Sequence, residues 1–164
     1  MVTMNLDNLQ AELVKYGTIL VEKYKSQLRI DETYATGETA DSLNYIVDTN
    51  QLKILASNVL EKIDKGTDPG DRPRVSDIIS WAKAKKIRPR DGEGRFIEVN
   101  NKSIFWMSKN IADSIEELGT IKRFNNGGSG IIDFVYRNQK DEMLDNIFAA
   151  YSRDVQEMID QIVI

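Results

Sequence analysis

The three prolines of the chain, Pro69, Pro73 and Pro89, all fall in one stretch, and that stretch limits how everything else can be arranged. It reads Gly66-Thr-Asp-Pro-Gly-Asp-Arg-Pro-Arg74, continues into Val75-Ser-Asp-Ile-Ile-Ser-Trp-Ala-Lys-Ala-Lys-Lys-Ile87 and runs on into the basic loop that holds Pro89. Proline fixes φ and has no N–H to donate, so neither a helix interior nor a central strand passes through such a segment. The stretch therefore separates a helix-plus-strands half from a mostly helical half. Its loop, residues 66–74, is expected to be free to reach a neighbouring molecule.

Before that boundary, Leu6, Leu9, Leu13, Tyr16, Leu20, Tyr24 and Leu28 recur every three or four residues. This predicts an amphipathic helix from about Leu6 to Arg29. Val14, Ile19 and Val21 lie off the stripe and offer a surface for a neighbouring subunit. A polar loop follows, with Asp41 at a possible helical turn. Leu43, Tyr45 and Val47, then Leu52, Ile54 and Ala56, alternate with polar positions around Thr49-Asn50, which predicts two strands and a tight turn. A short helix from Val59 to Asp64 should stop at Gly66.

After the boundary, Val75, Ile78, Ile79 and Ala82 form the apolar face of a helix ending near Ile87, with Trp81 beside it. Residues 83–95 carry Lys83, Lys85, Lys86, Arg88, Arg90 and Arg95 against Asp91 and Glu93. Such a segment suits a solvated helix end, or contact with phosphates or an acidic partner. Ile104, Met107, Ile111, Ile115 and Leu118 predict a helix from about Asn101 to Leu118 closed by Gly119, with Phe105 and Trp106 read as core packing. Residues 121–124 and 131–136 look like strands around the glycine-rich 127–130 tip, and a last helix is expected from Asn138 onward. Together these elements predict an α+β fold: a small antiparallel sheet packed against several helices, with long N- and C-terminal helices, in a single domain over residues 1–164.

Chemistry is tightly restricted. The chain has neither histidine nor cysteine, which excludes histidine acid–base work, Ser-His and Cys-His nucleophile pairs, thiolate metal sites and disulfides. Gly127-Gly-Ser-Gly130 is not followed by the Lys-Ser/Thr of a phosphate loop, and Asp68-Pro-Gly-Asp71 lacks the alternating carboxylates of a calcium loop. Asp91 and Glu98 fall short of a metal-dependent nuclease pattern because Asn100 stands where lysine is needed. Any catalysis would have to run on carboxylates, lysine or tyrosine; with no motif for it, no catalytic residue, cofactor or metal is expected, and the chain is read as not an enzyme. No apolar run nears the roughly 18 residues of a membrane span, no secretory signal is visible, and the net charge is −4.

Three segments, in order, resemble the tail-completion or head–tail connector proteins of tailed bacteriophages. Thr36-Gly37 followed by Ser42-Leu43 is similar to the family's Thr-Gly-x-Leu-x-x-Ser-Ile. Val59-Leu-Glu-Lys-Ile-Asp-Lys-Gly66-Thr67 is similar to its Tyr-Ala-x-x-x-Glu-x-Gly-Thr. Pro73 with Ile78-Ile-Ser-Trp-Ala-Lys-Ala-Lys-Lys-Ile87 resembles the family's proline and Trp-containing helix ending in Lys-Gly-Ile. Residues 104–120 then match its Ala-x-x-Ile-x-x-x-Gly-Thr in spacing. Val59-Leu60, Asp64 and Lys86 depart from the pattern, and residues 121–136 have no counterpart in it.

The resemblance implies a structural virion protein assembled in the host cytoplasm. It would form a homo-oligomeric ring in the phage neck, against adjacent portal, adaptor or tail proteins, with genomic DNA passing through the bore and no membrane contact. Interface residues are expected at Gly66, Thr67, Asp68, Asp71, Arg74, Trp81, Lys85, Lys86, Arg88, Arg90, Gly127 and Gly128. The alternative is a nucleic-acid-binding module built on residues 83–95.

Overall fold

In the computed structural model, residues 5–31, 37–120 and 128–162 are described. The elements run α1 (Asp7–Ile30), α2 (Glu38–Asp41), β1 (Asn44–Asp48), β2 (Gln51–Leu55), α3 (Asn58–Lys65), α4 (Val75–Ala84), α5 (Asn101–Leu118) and α6 (Ile131–Ile162). This is an α+β chain dominated by helix, with one small antiparallel sheet and long first and last helices. It divides into two compact units, one holding α1, the hairpin and α6, the other α3, α4 and α5 with their loops.

In the first unit, the leucine and tyrosine stripe of α1 is buried at Leu9, Leu13, Tyr16, Leu20, Tyr24 and Leu28. Val21 is buried as well, so of the off-stripe residues only Val14 remains well exposed. The α1 stripe packs antiparallel on α6, and polar contacts pin the register along its length. The Tyr16 hydroxyl donates to the Glu142 carbonyl at 3.2 Å and accepts from the Asn146 amide at 2.6 Å. One end further, the Tyr24 hydroxyl donates to the Ile132 carbonyl at 3.3 Å. The predicted hairpin has a two-residue turn at Thr49-Asn50, pairing Asp48 with Gln51 and Asn44 with Leu55. Tyr45, Val47, Leu52 and Ile54 form its half-buried face. Tyr45 lies so close to α1 that its ring fills the place where Gly17 would carry a Cβ.

The start of α6 corrects the sequence reading. Residues 131–136 are helix rather than strand, and Asn138 lies inside the helix, not at its cap. Ile131 and Val135, one turn apart, are both buried, and Asp133 pairs with Arg137 at 2.8 Å across the next turn. In a short run such as Ile-Ile-Asp-Phe-Val-Tyr, apolar residues satisfy both periods, and only the packing against α1 selects the helical one. The glycine tip is also not the end of a hairpin: Ser129 and Gly130 donate their N–H groups to the Ile63 and Asp64 carbonyls at the end of α3, both at 3.0 Å. The first half of the expected hairpin, residues 121–124, lies outside the described residues, as do Thr36 and Gly127.

In the second unit, α4 packs on α5 through small side chains, with Ala82, Ser108 and Ala112 buried. Helix α5 begins with reciprocal capping: the Asn100 side chain accepts the Ser103 N–H at 2.9 Å, and the Ser103 hydroxyl accepts the Asn100 N–H at 3.0 Å. Helix α4 stops at Ala84, a turn before the expected Ile87. Its end is a Schellman turn, with Lys86 N–H donating to Lys83 O at 3.1 Å and Ile87 N–H to Ala82 O at 2.9 Å. The left-handed residue of that turn is Lys86, at φ 53, the one non-glycine with positive φ among the described residues.

Candidate subunit interface

The loop opened by Gly66 is held down, which corrects the expectation that it is free to reach a neighbour. Gly66, at φ 78, ends α3 with its N–H on the Lys62 carbonyl at 2.9 Å. Thr67 then meets the end of α5 through two hydrogen bonds. Its N–H donates to the Thr120 hydroxyl at 2.6 Å and its carbonyl accepts the Thr120 N–H at 2.8 Å. Gly70 adds a bond to the Glu116 carbonyl at 2.7 Å. The Arg72 guanidinium bridges Asp113 and Glu116, the latter at 3.0 Å. The hydrogen bond from Lys109, then that from Arg72, hold the Asp113 carboxyl below the usual carboxylate range. Backbone polar groups that a proline-rich loop cannot pair internally thus find partners on one neighbouring helix end.

The proposed interface residues therefore separate into groups. Gly66, Thr67 and Gly128 are half-buried and serve the chain's own packing, since a Cβ on Gly128 would run into the Asp64 carbonyl and Gly66 N. Asp68, Asp71 and Arg74 are exposed on the loop, Asp71 paired with Lys62 at 2.6 Å. Trp81 and Lys85 are half-buried on and just after α4. Lys86, Arg88 and Arg90 are exposed.

The basic segment is more ordered than its composition suggests. Asp91 Oδ1 accepts the N–H groups of Glu93 and Arg95, and an isolated bridge joins Arg90 to Phe96, closing a tight loop. Hydrogen bonds from the Arg95 backbone and side chain, in that order, hold the Asp91 carboxyl below its ordinary value. Arg95 is thereby matched by Asp91 and Glu93, both at 2.9 Å. Arg88 and Arg90 instead sit over the Phe96 ring, 4.9 and 4.3 Å from its centroid. Stacking of this kind fixes a guanidinium while leaving its charge available to a partner.

Beside this loop lies an open groove of about 930 Å³ floored by Ile87, Ile97, Met107, Ile111, Ile115 and Leu118 and edged by Arg88, Arg90 and Lys102. Trp106 lines it and is 51% exposed, and Phe105 meets Trp106 edge-to-face at 6.0 Å with 45% exposure. These two aromatics, read from the sequence as core, are surface residues. Phe96 and Val99, either side of Ile97 in the sequence, are exposed as well. Sequence reasoning singled out the basic edge and missed the apolar floor, because helical spacing marks Ile104–Leu118 as apolar without saying that part of that face has no cover. Among the described residues no cluster of three or more acidic side chains is placed to hold a metal. No described helix is long and apolar enough to cross a membrane. Comparison of the chain with protein families, with curated proteins and with solved structures finds no match.

Proposed function

We propose that the chain is a structural subunit of the neck of a tailed bacteriophage virion, forming a ring that joins the portal side of the head to the tail. The observation that carries this reading is the meeting of the two Gly-Thr segments on which the resemblance rests. Gly66-Thr67 and Gly119-Thr120 close the α3 and α5 patterns, and they are hydrogen-bonded to each other through Thr67 and Thr120. A second support is Lys86, which stands where the family pattern has glycine and holds the left-handed backbone that glycine favours. A ring needs two different docking patches on each subunit, and the groove beside α5 is suited to be one of them. No catalytic step or cofactor enters this role. Mass photometry of the purified chain, alone and with neck proteins, should give a discrete closed oligomer, and the chain should be found in purified virions. A strict monomer absent from virions would overturn the reading.

The stacked pair Arg88 and Arg90 on Phe96 favours one alternative, a nucleic-acid-binding module. It requires DNA affinity that falls steeply with salt and disappears when Lys85, Lys86, Arg88 and Arg90 are neutralised. Binding unchanged in that variant removes it.

A further inference from the structure

We infer that the groove beside α5 receives the exposed face of α6 from a second copy of this chain. The inference rests on the ring reading above and names the surfaces that would build it.

Helix α6 carries an apolar stripe that its own unit leaves open. Phe148, Tyr151, Ile159 and Ile162 are all exposed, Phe148 at 65% and Ile162 at 61%. Their spacings of three, eight and three residues put them within about a quarter-turn of one another around a helix of 3.6 residues per turn, with half-buried Val155 among them. Asp141 and Asp145 precede Phe148 along the same face and are exposed. Over its whole length α6 holds seven acidic residues against three basic ones.

The groove is the converse surface, with an apolar floor and three basic side chains, Arg88, Arg90 and Lys102, at its edge. The lengths also agree. Phe148 to Ile162 spans about 21 Å at the α-helical rise, and the groove-lining part of α5 from Lys102 to Leu118 spans about 24 Å. An acidic helix with an apolar stripe is poorly suited to pair with its own copy, since that would oppose like charges. Seated in the groove, its stripe meets apolar side chains and its aspartates meet Arg88 and Arg90. Groove and stripe are different patches on the chain, so the contact is head-to-tail and repeats from copy to copy.

The test uses the full chain. Arg88→Glu with Arg90→Glu inactivates the groove edge, and Asp141→Lys with Asp145→Lys inactivates the helix face. All four positions are exposed, and circular dichroism is the check that each variant folds. Each pair of substitutions should reduce the oligomer to monomer in mass photometry, whereas an equimolar mixture of the two variants, in which every groove again meets a helix face of opposite charge, should form alternating oligomers, and all four changes in one chain should also restore the oligomer. Because the chain has no cysteine, Trp106→Cys together with Phe148→Cys should give a ladder of covalent multimers under mild oxidation. An oligomer that survives both reversals overturns this interface and leaves the ring reading standing. Disulfides closed within single chains, or multimers from either cysteine alone, also overturn it. A chain that is monomeric throughout overturns it too, and virion incorporation, measured separately, then judges the neck reading.

Discussion

Thr67 and Thr120 hold each other by two hydrogen bonds, N–H to hydroxyl at 2.6 Å and carbonyl to N–H at 2.8 Å, across 53 residues of sequence. The approach depends on Gly119, which has φ 65 and ψ −178, a region open essentially to glycine alone. A Cβ there would overlap the Thr67 carbonyl oxygen and come within 3.0 Å of Pro69 N. Gly119→Ala should therefore destabilise the second unit by about 3 kcal/mol. Thr120→Val keeps the shape but strands the Thr67 N–H, for a loss of about 1–3 kcal/mol, and Thr120→Ser should be nearly neutral. Both tryptophans, Trp81 and Trp106, belong to the second unit, so urea unfolding followed by tryptophan fluorescence reads these losses. A Gly119→Ala midpoint equal to that of the parent would refute the account.

The first unit has its own close approach. A Cβ on Gly17 would lie 2.6 Å from Cγ and 2.8 Å from Cε2 of Tyr45, whose hydroxyl is 3.1 Å from Thr18 Oγ1. Alanine in a helix gains up to about 1 kcal/mol over glycine, but the clash costs about 1–3 kcal/mol because the ring is held at both ends. Gly17→Ala should thus lower stability, and in a Tyr45→Ala background the same change should raise it. Thermal melts by far-UV circular dichroism on the four members of this cycle give the coupling. A Gly17→Ala effect with the same sign in both backgrounds would show that the ring is not the obstacle.

Lys86 is a case where the local backbone and the residue disagree. It occupies the left-handed position of the turn that ends α4, at φ 53, which costs a side-chain-bearing residue about 1–2 kcal/mol. Part of that gain is offset in Lys86→Gly by the larger conformational freedom of glycine in the unfolded chain. The expected result is a second unit more stable by roughly 0.5–1 kcal/mol, seen as a higher urea midpoint by tryptophan fluorescence. Lys86→Val, β-branched at the same φ, should move the midpoint the other way.

What was legible in the sequence follows from which forces are local. Helix α1, the Thr49-Asn50 hairpin and α5 were read nearly to the residue, since each combines a sustained apolar period with its own turn or capping chemistry, as at Asn100 and Gly119. The first turns of α6 were not, because residues 131–136 fit two periods and packing on α1 chooses between them. Phe105 and Trp106 read as core from the sequence for a related reason: periodicity shows which helix face is apolar, whereas its cover comes from elsewhere in the chain. The anchoring of the 66–74 loop depends on Thr120, Glu116 and Asp113, which lie too far along the sequence for local pattern to connect them.

The N-terminus of α1 is capped from outside the helix, by Asp154 of α6. Its Oδ1 accepts the Asn8 N–H at 3.0 Å and the Asn8 amide at 2.8 Å, and its Oδ2 accepts the Leu9 N–H at 2.9 Å. Burial pushes this carboxyl up, but the hydrogen bonds from Leu9 and Asn8 outweigh it and leave Asp154 below its ordinary value. The positive end of the helix favours the same charged form. Asp154→Ala removes the cap and strands two helix N–H groups in a buried place, an expected loss of about 3 kcal/mol. The pH dependence has a definite sign. A carboxyl that is more acidic in the folded state contributes fully above its unfolded value, near 4, and that contribution is lost as pH falls through the folded value. Asp154→Asn keeps the size but sets an amide N–H against a backbone N–H at every pH. Measured from about pH 2 to pH 7, the stability gap between parent and Asp154→Asn should stay level above about pH 5 and narrow below about pH 4. Other carboxyls, Asp91 and Asp113 among them, cancel in that difference. A gap that keeps one size down to the lowest pH would mean that Asp154 holds α1 by shape alone and not by charge.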